Sequence, residues 1–77
     1  MHRPHRTVPQ LKAHECARAL AFSDPALASK LTAMGILPGS SIEMIRTAPF
    51  GMAYYIKVNG VRLALREEEA ANILLEV

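Results

Sequence analysis

Residues 31–39 end a helix and lead into a strand, and they constrain the fold more than any other part of the chain. Leu27, Leu31 and Met34 recur at helical spacing and therefore share one apolar helix face. Gly35 follows where a helix needs a residue in the left-handed conformation in order to end. The spacing thus predicts a helix that stops at Gly35.

The next residues predict a sharp change of direction. Ile36 can fold back onto the last helical turn, as the apolar residue after a terminating glycine often does. Pro38-Gly39 indicates a tight turn, because proline sets φ and glycine accepts the positive φ of a type II turn. Residues 42–47 then alternate as a strand does.

The rest of the chain supplies more strands with clear boundaries. Ser23-Asp24 and Pro25 offer a capping side chain and a proline at the first helical position, so the helix is predicted over 25–34. Asn59-Gly60 is a strong hairpin signal, because both residues accept positive φ. The predicted strands are 16–22, 42–47, 53–58, 61–66 and 73–77, and the acidic run 67–71 is predicted as one helical turn.

Seventy-seven residues make one small domain. Short strands in so small a chain are best completed by curling into a barrel that hides their edges. The fold class expected is mainly β: a small SH3-like five-stranded barrel, with one helix between the first two strands and a short helical turn near the C-terminus. Residues 1–7 are expected to form a flexible tail, residues 7–11 a short edge element, and residues 8–77 the domain.

Composition narrows the function. Apolar residues make up 51% of the chain and charged residues 21%, which is ordinary for a folded globular protein and wrong for a disordered one. A deep catalytic cleft is hard to build in a core this small, and no serine, histidine and acid stand in a recognisable catalytic context. The chain is therefore expected not to be an enzyme and to need no cofactor.

The charge pattern leaves two interpretations of the basic residues open. The net charge is only +2, and the Lys and Arg residues are scattered along the chain rather than clustered as in nucleic-acid-binding proteins. Arg46, Lys57, Arg62 and Arg66 fall on successive predicted strands and can converge in the fold. A solvated outer face is the simpler interpretation, and no nucleic-acid partner is expected.

The sequence predicts a cytoplasmic protein. A single cysteine, Cys16, excludes an internal disulfide. The apolar stretches are far shorter than the roughly 20 residues that a membrane helix needs, and the charged first residues lack the apolar run of a signal peptide.

Three motifs together resemble the ferrous iron transport protein A (FeoA) family. They are Met34-Gly35-Ile36-Leu37-Pro38-Gly39, Ala48-Pro49-Phe50-Gly51 and Leu63-Ala64-Leu65-Arg66. The resemblance covers roughly residues 20–77. Two stretches depart from the family pattern: the family loop usually reads Pro-Leu-Gly-Asp-Pro where this chain has residues 49–53, and residues 12–16 lack the glycine often found before the first strand.

The resemblance implies an SH3-like barrel and a role in bacterial ferrous iron uptake. The expected partner is the FeoB-type ferrous iron permease with its GTPase domain, so the protein would meet the membrane only through that partner. The sequence leaves the oligomeric state open, and a homo-oligomer is one of the states considered. The alternative is a regulatory interaction domain, related to the C-terminal SH3-like domain of metal-dependent transcriptional repressors.

Exposed apolar residues are the best candidates for a partner-binding surface. Phe50 and Met52 lie in a predicted loop, where a purely solvated role would favour polar side chains. With them we group the apolar residues around the helix end: Met34, Ile36, Leu37 and Pro38. The alternative is that Phe50 and Met52 simply cover one end of the barrel.

Metal ligation by histidine and cysteine, and catalysis by arginine, are weaker hypotheses than partner binding. His2, His5, His14 and Cys16 carry ligating atoms, but a defined site needs three or four converging ligands, so no metal site is predicted and Cys16 is expected in the core. An arginine finger acting on a partner GTPase is conceivable for Arg46, Arg62 or Arg66, whereas solvation of a barrel face is the simpler role.

Overall fold

Six strands and two α-helices follow one another in the computed structural model, which describes residues 5–76. The strands are β1 (Arg6–Thr7), β2 (Cys16–Phe22), β3 (Ser41–Thr47), β4 (Ala53–Val58), β5 (Val61–Arg66) and β6 (Ile73–Leu75). The helices are α1 (Pro25–Ala33) and α2 (Glu67–Ala70), and short 3-10 turns occupy Val8–Gln10 and Pro49–Gly51. The predicted order of helix and strands from residue 16 onward is confirmed.

The strands form one antiparallel sheet in the order β1-β6-β2-β3-β4-β5. The sheet has six strands rather than the five predicted, and it is not closed, so the prediction of a closed five-stranded barrel is wrong in these two details. The additional strand comes from the segment predicted as a tail, because Arg6 and Thr7 pair with Leu75 and Leu74. The part of that tail at residues 1–4, with His2, lies outside the described residues.

Both ends of α1 are built as the sequence predicts. Asp24 caps the start, where its side chain accepts a hydrogen bond from the Ala26 N–H at 2.9 Å. At the other end Gly35 has φ +93°, and its N–H donates to Thr32 O at 2.9 Å. The Ile36 N–H donates to Leu31 O at 3.0 Å, which completes a Schellman motif.

The two predicted turns also have the expected backbone. Gly39 has φ +92°, and the Ser40 N–H donates to Leu37 O at 2.9 Å, as in a turn centred on Pro38-Gly39. Asn59 and Gly60 have φ +48° and +89°, which is the pattern of a type I′ hairpin between β4 and β5.

The core lies between the inner face of the sheet and α1. Its largest fully buried side chains are Leu31, Ile36, Ile42, Met44, Ile56, Leu65, Ile73, Leu75 and Val8. Cys16 is exposed, so its predicted place in the core is wrong. On β2 the inward position belongs to Ala19, while Leu20 is 41% exposed, and a register shift between Ala19 and Ala21 turns Phe22 partly inward.

Two buried polar side chains, Glu69 of α2 and Asn72 just after it, connect this part of the chain to α1 and its N-terminal cap. Glu69 is 4% exposed; its carboxylate accepts a hydrogen bond from the Arg66 N–H at 2.8 Å and pairs with Lys30 of α1 at 2.5 Å. Glu69 is thus a buried member of the acidic turn, which the sequence does not indicate. The ammonium group of Lys30 is the main cause that lowers the pKa of Glu69.

Asn72 is the second of these side chains and is 3% exposed. Its Oδ1 accepts hydrogen bonds from Ser23 Oγ at 2.6 Å and from the Asp24 N–H, and its Nδ2 donates to Asp24 O at 3.4 Å. These contacts fix the turn before β6 against the start of α1.

We predict that Gly35→Ala lowers the free energy of unfolding by about 1 kcal/mol, because an L residue is strained at positive φ. A Cβ at this position would meet no atom within 4 Å, so the loss would come from the backbone alone. Urea unfolding followed by circular dichroism measures it. The exposed helical substitution Ser29→Ala is the control, and an unchanged midpoint for Gly35→Ala would contradict the role assigned to this glycine.

Candidate functional site: the β3–β4 loop and the neighbouring sheet face

The β3–β4 loop, residues 48–52, carries the most exposed apolar side chains of the described chain. Phe50 is 96% exposed and Met52 is 73% exposed. The loop is closed at its base by a hydrogen bond from the Ala48 N–H to Ala53 O at 2.8 Å, and inside it the Gly51 N–H donates to Ala48 O at 3.2 Å. The loop is thus tied at its base and holds two apolar side chains in solvent.

The backbone of Phe50 is itself unusual. Its φ is +64°, in the left-handed region that a bulky residue rarely occupies. Strain of this kind persists where the surrounding structure imposes it, and it is concentrated at functional sites. Because the ring is almost fully exposed, it does not cover the end of the sheet, and the alternative role suggested for Phe50 is not met.

The other residues of the predicted surface lie elsewhere. Leu37 is 49% exposed and Pro38 is exposed, while Met34 is only partly exposed. Ile36 is fully buried as part of the helix-ending motif, so it drops out of the predicted surface. Leu37 and Pro38 precede β3, whereas Phe50 and Met52 follow it. Because the seven residues of β3 span about 20 Å, these two exposed pairs do not form one patch.

The candidate metal ligands that the structure describes, His5, His14 and Cys16, do not assemble a site. His14 Nδ1 lies 3.7 Å from Glu43 Oε2, but its side chain is 78% exposed. His14 is not on a strand; it has φ +69°, in the stretch where the family often has glycine. Among residues 5–76 no group of three or more His, Cys, Asp or Glu side chains is placed to hold a metal ion.

The basic residues of β3, β4 and β5 share the outer face of the sheet. The guanidinium group of Arg46 stacks on the ring of Tyr55, 4.3 Å from its centroid. Lys57 and Arg62 are direct cross-strand partners, and Arg66 lies on the same side of β5 as Arg62. The fold thus places on one face of the sheet the four cations whose convergence the sequence left open.

Strand β1 is anchored by an ion pair between Arg6 and Glu15. Arg6 donates to Glu15 through Nη1 at 2.7 Å and Nη2 at 2.9 Å, and the Lys12 N–H donates to Glu15 Oε1 at 2.9 Å. The Arg6 hydrogen bonds, followed by that of Lys12, lower the pKa of Glu15 from 4.5 to about 2. The ionised form of Glu15 is therefore favoured in the folded protein.

Comparison with known proteins identifies the family. The model of the FeoA domain matches residues 7–77. The chain belongs to the FeoA family. That family is linked to ferrous iron transport and is not a known enzyme family.

Solved structures agree with the assignment to FeoA. The FeoA-like protein of Clostridium acetobutylicum superposes with a TM-score of 0.86 at 25% identity, over 99% of this chain and 90% of that chain. The FeoA protein of Chlorobium tepidum gives 0.82 at 27% identity, over 94% and 70% of the two chains.

Stenotrophomonas maltophilia FeoA, solved with zinc, gives a TM-score of 0.78 at 26% identity over 92% and 89% of the two chains. It is an SH3 domain protein that has been proposed to act as a ferrous iron transport activating factor. This similarity indicates an SH3-like fold for the present FeoA chain.

The same fold occurs in a manganese-dependent transcriptional repressor. The TM-score is 0.86 at 17% identity, over 97% of this FeoA chain and 37% of the repressor. At this identity the similarity shows the fold alone.

Among the described residues of the FeoA chain, no helix is both long enough and apolar enough to span a bilayer.

We predict that the stability of this FeoA protein falls as the pH drops from 4.5 toward 2, with Glu15 as one cause. Because the pKa of Glu15 is lower in the folded than in the unfolded chain, its contribution is present above pH 4.5 and is lost through about pH 2. Urea unfolding over this range should show a shallower pH dependence for Glu15→Gln. A variant profile parallel to that of the wild type would contradict this role.

We also predict that Phe50→Gly raises the free energy of unfolding by about 0.5–1 kcal/mol, because glycine relieves the positive φ and almost no buried surface is lost. Thermal and urea unfolding measure the change. The control is Met52→Gly, which changes an exposed residue whose φ is −76° and should not stabilise the protein. A destabilised Phe50→Gly would mean that the ring packs on the sheet.

Proposed function

We propose that this FeoA protein is a cytoplasmic accessory of bacterial ferrous iron uptake that binds the FeoB-type GTPase-permease and supports or regulates Fe(II) transport. The observation that carries this proposal is the FeoA domain, which spans residues 7–77. The protein reaches the membrane only through the permease. It acts by binding rather than by a chemical step.

The β3–β4 loop is the part of the surface best suited to docking. Aromatic side chains that enter a partner's pocket dominate many interfaces. Phe50 is already held out into solvent, so little reorganisation would precede binding. The positive φ of Phe50 also has a reason in this proposal, since it directs the ring away from the sheet.

The energy available from this contact is appreciable. An aromatic side chain buries about 150–200 Å² in an interface, which at about 25 cal/mol per Å² corresponds to about 4 kcal/mol before the entropic costs of association. Met52 adds a flexible apolar contact beside it. A docked loop of this kind can bias the assembly or the GTPase cycle of the permease without contributing a catalytic group.

The first experiment measures Fe(II) uptake by cells that lack this chain, with and without the gene returned on a plasmid. We expect uptake to fall in the deletion strain and to recover with the wild-type gene under anaerobic, iron-poor conditions. Unchanged uptake in the deletion strain would reject the transport role and favour the regulatory alternative.

The second experiment asks whether the β3–β4 loop makes the contact. We predict that Phe50→Asn, which keeps a residue tolerant of positive φ, weakens co-purification with the permease by about thirtyfold and prevents rescue of uptake. Leu20→Thr is the control, because Leu20 is 41% exposed but lies on β2. Leu37→Asn tests the other exposed group, at the opposite end of β3. Normal co-purification of Phe50→Asn would show that the loop does not dock.

A further inference from the structure

The outer face of β3, β4 and β5 gathers positive charge. On β4 the side chains of Tyr54, Ile56 and Val58 are buried, so Tyr55 and Lys57 point to the opposite, outer side. Tyr55 has two cross-strand partners, Arg46 on β3 and Ala64 on β5. Lys57 lies opposite Arg62 on β5. We call Arg46, Lys57, Arg62 and Arg66 the cationic face.

A hollow of about 380 Å³ opens in this face. Its walls include Ile45, Arg46, Tyr55, Arg62 and Ala64. Because Ala64 offers only a methyl group between larger neighbours, the sheet is left uncovered at this point. Two guanidinium groups and an aromatic ring thus border a space large enough for a side chain of another molecule.

Within residues 5–76, Arg46, Lys57 and Arg62 take part in no ion pair, whereas the charge of Arg66 acts on the nearby carboxylate of Glu69. The ion pairs among residues 5–76 join Arg6 to Glu15, His14 to Glu43 and Lys30 to Glu69. Glu43 is the cross-strand partner of Lys57, yet among these ion pairs its carboxylate faces His14.

The register of β4 and β5 adds a like-charge contact. Lys57 lies directly opposite Arg62, an arrangement that destabilises a strand pair. Glu43 lies opposite Lys57 on the other side and offsets part of this repulsion, and an anion bound beside Arg62 would offset more of it.

The edge of the sheet lies beside the hollow. Strand β5 stands at the end of the strand order and, within residues 5–76, pairs only with β4. An edge strand presents unpaired N–H and C=O groups to an extended chain. The location of the hollow next to such an edge favours an extended peptide as its occupant.

We propose that the cationic face binds an acidic segment of a protein partner, extended along the edge of β5, with one carboxylate in the hollow between Arg46 and Arg62. Arginine suits this role because its planar guanidinium group can hold a carboxylate through two hydrogen bonds. Nucleic acid is a poorer match. One face of the outward ring of Tyr55 is already covered by Arg46, which leaves less open aromatic surface for base stacking.

The inference deepens the proposed function by naming the chemistry of the segment that a partner would present. It rests on that function only for the identity of the partner. The cationic face and the β3–β4 loop involve different side chains, so the two contacts can fail independently.

The test uses the full isotope-labelled chain and a synthetic peptide of alternating Glu and Thr, observed by NMR. We expect amide shifts concentrated on β4 and β5 and weaker binding at higher salt. Arg62→Gln and Arg46→Gln should each weaken binding by about fivefold. Arg18→Gln, which removes the same charge from an exposed position on β2, should change it by less than about twofold.

Two further probes separate the alternatives. A peptide of alternating Gln and Thr should not bind, and Phe50→Asn should bind the acidic peptide as the wild type does. Tighter binding of oligothymidylate than of the acidic peptide would overturn the proposal in favour of nucleic acid. Shifts outside β3, β4 and β5, or no shifts at all, would also overturn it.

Discussion

The carboxamide of Asn72 is the contact on which the arrangement of the fold depends. It reaches across 49 positions of sequence to Ser23, and only 3% of Asn72 is exposed to solvent. One side chain therefore fixes the end of β2, the start of α1 and the entry to β6. Strand β6 in turn pairs with β1, so the position of the N-terminal strand depends on that of β6.

Local signals in the sequence determine those elements that were predicted well. Gly35, Pro25 and Asn59-Gly60 each impose a backbone geometry within a few residues, and each occurs as expected. The residues that were predicted wrongly owe their positions to contacts with residues far away in the sequence. Strand β1 exists because β6 offers it an edge, and Cys16 faces outward because pairing with β3 sets the register of β2. Alternation alone does not reveal which of two half-apolar faces turns inward.

The candidate site divides in the same way. The exposure of Phe50 and Met52 could be anticipated, since both stand in a loop of proline and glycine. The strained φ of Phe50 could not, because no residue type demands it there. The cationic face was visible only as scattered residues until strand register aligned them. Thus the exposed apolar loop follows from the local sequence, whereas the charged face forms only through the pairing of β3, β4 and β5.

The strand order also has a consequence for how the chain folds as it is synthesised. Strands β3, β4 and β5 follow one another and pair in sequence, so this meander can form early. Strand β2 has one neighbour in β3, but its other edge waits for β6, which follows the other strands in the described chain. Until then β2 exposes an open edge to other nascent chains. The interval between the two events is the period in which this small protein is most vulnerable to aggregation.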